Sequence, residues 1–199
     1  MSIYDLSVIP LFLLMGQFAS AAGFSRNLFH AANKLVGHRN AGVAQAAIIA
    51  CACFGAISGS SVATAATMSQ VALPEMKRLN YSDRLATGTL AAGGTLGILV
   101  PPSIILIVYA LLAEQSIAKL FAASVIPGLI AAAGYMIAIA IYVRMVPGHA
   151  QVQPRPRRAE RIRAIREAWP IAAIFILLFV GIYAGFFTPT EGAAVATAA

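Results

Sequence analysis

Four small polar residues, Ser58-Gly59-Ser60-Ser61, stand at the centre of a run that carries no charge from 41 to 73. Their hydroxyls, with the carbonyls of a glycine turn, are neutral oxygens of the kind that transporters place on unwound backbone to hold a cation. A second segment, Gly93-Gly94-Thr95-Leu96-Gly97-Ile98-Leu99-Val100-Pro101-Pro102-Ser103, carries matching chemistry. Proline has no N–H and its ring excludes the carbonyl four residues earlier, so Pro101 and Pro102 leave the carbonyls of Gly97 and Ile98 without helical partners. Val100 is pushed toward extended geometry by the proline that follows it. The glycines, lacking Cβ, let another backbone approach. The candidate site is therefore Ser58, Gly59, Ser60 and Ser61 together with Gly94, Gly97, Val100, Pro101 and Pro102. Helix N-termini at such a turn would also present positive ends to an anionic substrate.

The elements that carry these residues follow from length. The run from 41 to 73 holds 33 residues, and as one helix it would extend ~50 Å against a hydrocarbon core of roughly 30 Å. Two full spans would need about 40 apolar residues and a turn. The run is too long for one crossing and too short for two, which predicts a re-entrant hairpin over 41–73 with its polar tip near the bilayer midplane. Irregular backbone persists there only when packed in protein or lining a wet cavity. The segment 85–113 reads as a transmembrane helix broken in its middle by glycine and proline.

Other apolar stretches lie at 7–22, 125–143 and 170–187, and a last helix starts at 191 and reaches the end of the sequence without a stop signal. With 60% hydrophobic and 11% charged residues and a mean hydropathy of +0.82, the chain is an all-α polytopic membrane protein, since soluble domains carry roughly 25% charged residues. Charge supports the hairpin independently. If it returns to its own side, the loops at 23–40, 74–84 and 144–169 share a compartment and hold every Lys and Arg except Lys119. The positive-inside rule assigns them to the cytoplasm, with Asp5, Glu114 and Glu191 outside. A single crossing would separate Arg26, Lys34 and Arg39 from the rest. The stretch 147–169 reads as a cytoplasmic amphipathic basic loop, with Ile162, Ile165 and Trp169 at helical spacing and arginines toward lipid phosphates.

Several function classes fall away. The net charge of +7 sits in short segments between apolar runs, without the aromatic interleaving of a nucleic-acid groove. The tip does not match the Gly-x-Ser-x-Gly elbow, and no histidine lies at membrane depth as a base, which argues against an enzyme. Cys51 and Cys53 lack redox or metal spacing, and His30, His38 and His149 lie in polar connections, so no cofactor or metal beyond a coupling ion is expected. No acid or histidine lies within the apolar regions to relay protons, which favours sodium held by neutral oxygens. A non-transporting structural subunit is the alternative.

The motifs Ile9-Pro10-Leu11-Phe12-Leu13-Leu14-Met15-Gly16, Ala56-Ile57-Ser58-Gly59-Ser60-Ser61-Val62-Ala63-Thr64-Ala65, Leu73-Pro74-Glu75-Met76, the Gly93–Ile104 segment and Phe187-Thr188-Pro189-Thr190-Glu191-Gly192 occur in this order. In them the chain, over nearly all of 1–199, resembles the large permease subunit (DctM-like) of tripartite ATP-independent periplasmic (TRAP) transporters. The resemblance implies an elevator-type carrier of the bacterial inner membrane. It would be driven by sodium and import organic acids, C4-dicarboxylates or other carboxylates, delivered by a periplasmic binding protein. It also implies a small four-helix membrane subunit as partner, and a first sodium site formed by the tip serines with the backbone of Gly97, Val100 and Pro102. Family members are about twice this length, so the chain corresponds to the first of two inverted repeats, its first helix shortened or absent, and as a free-standing fragment it would be inactive.

The topology is testable by labelling single cysteines introduced into the full-length permease. Substitutions at Lys34 and Arg78 should react from the same, cytoplasmic face and one at Glu114 from the opposite face. Labelling of Lys34 and Arg78 from opposite faces would remove the hairpin.

Overall fold

The computed structural model describes residues 8–146 and 153–198. Positions 147–152, which include His149 and the start of the expected basic loop, lie outside the described residues, as does Asp5. Among the described residues the chain is helical, in the order α1 (Val8–Ala21), α2 (Phe24–Val36), α3 (Gly42–Ser58), α4 (Ser61–Arg78), α5 (Asp83–Leu99), α6 (Ile104–Leu112), α7 (Ile117–Met145), α8 (Arg158–Tyr183) and α9 (Pro189–Ala198).

Two of these, α7 with 29 residues and α8 with 26, are long and apolar enough to cross a membrane. A third span is available if α5 and α6, bent by 40° at their break, are taken together. The chain is thus an all-helical membrane protein. α3 and α4, with 17 and 18 residues, reach only ~26 Å each. They are separated by Gly59 and Ser60, pack on each other, and both pack on α5. Gly59 ends α3 at φ 60°, its N–H donating to the Gly55 carbonyl at 2.7 Å. This left-handed cap costs a glycine little and other residues more.

Three local expectations change. The connection at 23–40 contains a helix, α2, which buries Ser25, Phe29 and Ala32 and packs on α3 and α8. Its apolar positions recur every three to four residues, but its polar outer face lowers the average hydrophobicity. The hairpin's second arm does not stop at 73; α4 continues through Pro74 to Arg78. Likewise 158–169 is not a separate surface helix, because α8 runs unbroken through Pro170. An internal proline removes one hydrogen bond, and a helix anchored by several turns on both sides persists through it.

The interior forms two clusters. One joins α2, the hairpin and α5 around Ile48, Phe54, Met68 and Met76, closed on one side by Ala132 and Ile139 of α7. The other gathers Phe12 of α1, Ile107 of α6, Phe121 of α7 and Ile171, Leu178 and Ile182 of α8. At the end of the hairpin away from its tip, the Val43 N–H donates to the Tyr81 hydroxyl at 3.4 Å. Burial pushes that phenol's pKa up, and the hydrogen bond partly offsets it.

A seam of small residues locks α5 into the hairpin. A Cβ on Gly55 would lie 2.6 Å from Gly97 Cα, one on Gly94 would lie 2.7 Å from the Ala65 Cβ, and one on Gly93 would lie 2.8 Å from Cys51 Sγ. Such backbone proximity replaces the hydrophobic driving force that lipid does not supply. Cys51 is a packing residue here. Gly97→Ala should therefore lower the thermal stability of the full-length permease in detergent by about 1–3 kcal/mol. Gly88, with nothing within 4 Å of a built Cβ, should accept alanine with no loss or a gain of up to about 1 kcal/mol. Equal behaviour of the two variants would refute the seam.

Candidate functional site

The hairpin tip is a buried cluster of neutral oxygens. Ser58 Oγ lies 2.8 Å from Thr64 Oγ1 and 3.4 Å from the carbonyls of both Gly55 and Ser60. Ser58 is 3% exposed and Thr64 is fully buried. The cluster exists because Gly59 reverses the chain, so the last turn of α3 and the first turn of α4 face each other across it. Two glycines close it from outside. A Cβ on Gly97 would stand 2.6 Å from Thr64 Oγ1 and 2.7 Å from the Ser60 carbonyl oxygen, and one on Gly16 of α1 would stand 3.0 Å from Ser58 Cα.

The helix break is tied to this tip. α5 ends at Leu99, where the Val100 N–H still donates to the Leu96 carbonyl at 2.9 Å. The Gly97 and Ile98 carbonyls stand four residues before Pro101 and Pro102, which have no N–H to give. The Ile104 N–H donates to the Gly59 carbonyl at 3.2 Å, and the Pro102 carbonyl oxygen lies 3.3 Å from a Cβ built on Gly59. Ser60 caps α4 by accepting from the Ala63 N–H at 3.3 Å, and Ser103, fully buried, caps α6 by accepting from the Leu106 N–H at 3.5 Å. Two helix C-termini and two capped N-termini thus converge, offering partial negative charge to a cation and partial positive charge to an anion within one junction.

Ser58, Gly59, Ser60, Ser61, Gly94, Gly97 and Pro102 come together here. Gly94 backs onto the Ser61 carbonyl, 3.3 Å from a built Cβ, and Pro101 is buried in the break. Val100 caps α5 at the break with its backbone, while its side chain turns toward α7, 3.2 Å from a Cβ built on Gly128. The Ser60 hydroxyl is engaged as a helix cap, which leaves Ser58 and Thr64 as the central hydroxyl pair. Thr64, Ser103, Gly55 and Gly16 escaped the sequence reading. For Thr64 the signal was available, because it lies one helical turn beyond Ser60.

The whole chain, 1–199, matches the family model described as tripartite ATP-independent periplasmic transporter, DctM component. The chain belongs to this family. Among DctM relatives, the C4-dicarboxylate TRAP transporter large permease protein DctM of Pseudomonas aeruginosa is 42% identical over 97% of this chain and 45% of its own length. The sialic acid TRAP transporter large permease protein SiaM of Vibrio cholerae is 33% identical over 98% of the chain and 45% of its own length. The isethionate TRAP transporter permease protein DctMQ of Oleidesulfovibrio alaskensis is 34% identical over 97% of the chain and 30% of its own length. The chain therefore spans less than half the length of these relatives. They are transporter permeases and not enzymes, and like them the DctM-family chain is a multi-pass protein of the bacterial inner membrane.

The late Thr-Pro-Thr-Glu motif has a structural account. The Thr188 N–H donates to Glu191 Oε2 at 2.8 Å and the Glu191 N–H donates to Thr188 Oγ1 at 3.3 Å, a reciprocal capping box with Pro189 at the first helical position of α9. Glu191 is thereby held, exposed, at a helix start.

Proposed function

We propose that this chain forms the first repeat of the carrier subunit of a sodium-coupled secondary transporter for organic acids. The observation that carries the reading is the buried Ser58–Thr64 hydroxyl pair with the Gly55 and Ser60 carbonyls, closed by Gly97. A cation fits this environment because it meets hard neutral oxygens and leaves no counter-charge unpaired when it departs. The relatives' substrates, a C4-dicarboxylate, sialic acid and isethionate, are all organic anions. The capped N-termini of α4 and α6 suit a carboxylate at the same junction.

In this reading the hairpin and α5 move as one body, as an elevator domain, because their glycine seam leaves no room for sliding. The polar contacts from that body to α7 include two neutral, exchangeable bonds: Thr95 Oγ1 to the Tyr135 hydroxyl at 3.0 Å and Gln45 Nε2 to the Met136 carbonyl at 3.3 Å. A second, inverted repeat would complete the substrate site. A periplasmic binding protein would deliver the acid, and a small four-helix membrane subunit would brace the exposed apolar faces of α7 and α8.

The test is uptake against sodium concentration by the full-length permease, reconstituted with its small subunit and binding protein. Ser58→Ala and Thr64→Val each remove a hydroxyl without leaving a charge, so each should raise the half-saturating sodium concentration on the order of tenfold, as a lost ligand bond of roughly 1.5–3 kcal/mol requires. Val62→Ala, at a position 77% exposed, and Glu191→Gln, at the capping box, should keep the parental curve. Parental sodium curves for both hydroxyl variants would place the ion elsewhere, and loss of sodium dependence in Glu191→Gln would transfer the role to that carboxylate.

A further inference from the structure

Away from the tip, a cavity of about 840 Å3 opens between α2, the far end of α4 and the segment that leads into α8. Its walls bring together Arg26, Lys34, Arg78, Arg155 and Arg157, five cations, with two carboxylates, Glu75 and Glu160. Two of the cations are already neutralised. Lys34 Nζ pairs with Glu160 at 3.1 Å, and Arg78 makes a fork to Glu75 at 3.0 and 2.6 Å. Gln153 Nε2 donates to the same Glu75 carboxylate at 3.3 Å. No carboxylate among the described residues pairs with Arg26, Arg155 or Arg157, so three guanidinium forks face one wall-bounded space with a net charge of three.

We propose that this cavity binds the phosphate headgroup of an anionic phospholipid, held by Arg26, Arg155 and Arg157. Guanidinium forks match phosphate oxygens in geometry and charge, and basic pockets between helices on the cytoplasmic side are where acidic headgroups bind. Depth favours a lipid over a soluble anion. Along α4, Val71 lies ~15 Å and Arg78 ~26 Å from the hairpin tip. With the tip near the midplane, the cavity begins at the edge of the hydrocarbon half-layer, ~15 Å thick, and extends through the headgroup zone. Phe29, Val71 and Leu79 on its wall suit the glycerol and first acyl carbons. The depth argument rests on the hairpin reading above; the charge argument does not. Because α2 and α8 line one side and α4 the other, an occupied cavity would bridge the hairpin to its neighbours.

The test is lipid binding rather than transport, so its outcome is separate from that of the sodium experiment. The full-length permease in neutral detergent is titrated with phosphatidylglycerol or phosphatidylcholine and retained lipid is read by native mass spectrometry, with and without inorganic phosphate. Phosphatidylglycerol should be retained in preference to phosphatidylcholine and should resist inorganic phosphate. The combined variant Arg26→Gln/Arg155→Gln/Arg157→Gln should lose that retention at least tenfold. The charge-matched variant Arg158→Gln/Arg161→Gln/Arg166→Gln, outside the cavity, should keep it. If the first variant does not remain monodisperse, Arg157→Gln alone, at an exposed position, is read in its place and should show a partial loss. Parental retention in the cavity variants, or equal loss in the matched control, would overturn the proposal. So would displacement by inorganic phosphate with no preference between the two lipids, which would make the cavity a site for soluble phosphate.

Discussion

Backbone carbonyls cannot be left bare in a low-dielectric interior, and this constraint shapes the centre of the molecule. Pro101 and Pro102 end α5 short and strip two carbonyls of their partners, while Gly59 ends α3 and exposes another set at the tip. In hydrocarbon each unsatisfied group would cost several kcal/mol. The structure places the two defects against each other. Gly97 brings α5 onto the Ser60 carbonyl and the Thr64 hydroxyl, the Ile104 N–H meets the Gly59 carbonyl, and Ser60 and Ser103 cap the helices that restart. The unwound backbone is thereby buried in protein, with the Ser58 and Thr64 hydroxyls bonded to each other beside it.

The division of the interior into two clusters follows from this junction. The hairpin and α5 share one cluster, and α1, α6, α8 and α9 build the other with a part of α7. Ile57 and Gly16 are where the two meet, beside Ser58. Charge is kept away from the junction altogether: the ion pairs Lys34–Glu160, Lys77–Asp83, Arg78–Glu75 and Arg163–Glu167 all lie outside the hairpin tip and the break. Around the junction itself the polar groups are backbone dipoles and hydroxyls rather than full charges.

The junction was legible in the sequence because its determinants are covalent. A missing N–H, a missing Cβ and a run length incompatible with the bilayer are properties of residue types, and they point to Ser58–Ser61 and Gly97–Pro102 without any tertiary information. What escaped depends on packing. α2 was hidden because a half-buried helix has a polar average. The continuity of α4 through Pro74 and of α8 through Pro170 depends on the turns flanking each proline. Thr64 and Gly16 join the site only once the hairpin folds and α1 docks behind it.

The central claim is that the hairpin tip and the helix break together form one cation site made of neutral oxygens. Crystals of the full-length permease soaked in thallium(I), a monovalent cation with strong anomalous scattering, test it directly. The account predicts an anomalous peak enclosed by Ser58 Oγ, Thr64 Oγ1, the Ser60 carbonyl and the backbone of Gly97, lost when sodium is supplied in excess. A sodium-competed peak at any other place, with none at this junction, would contradict it.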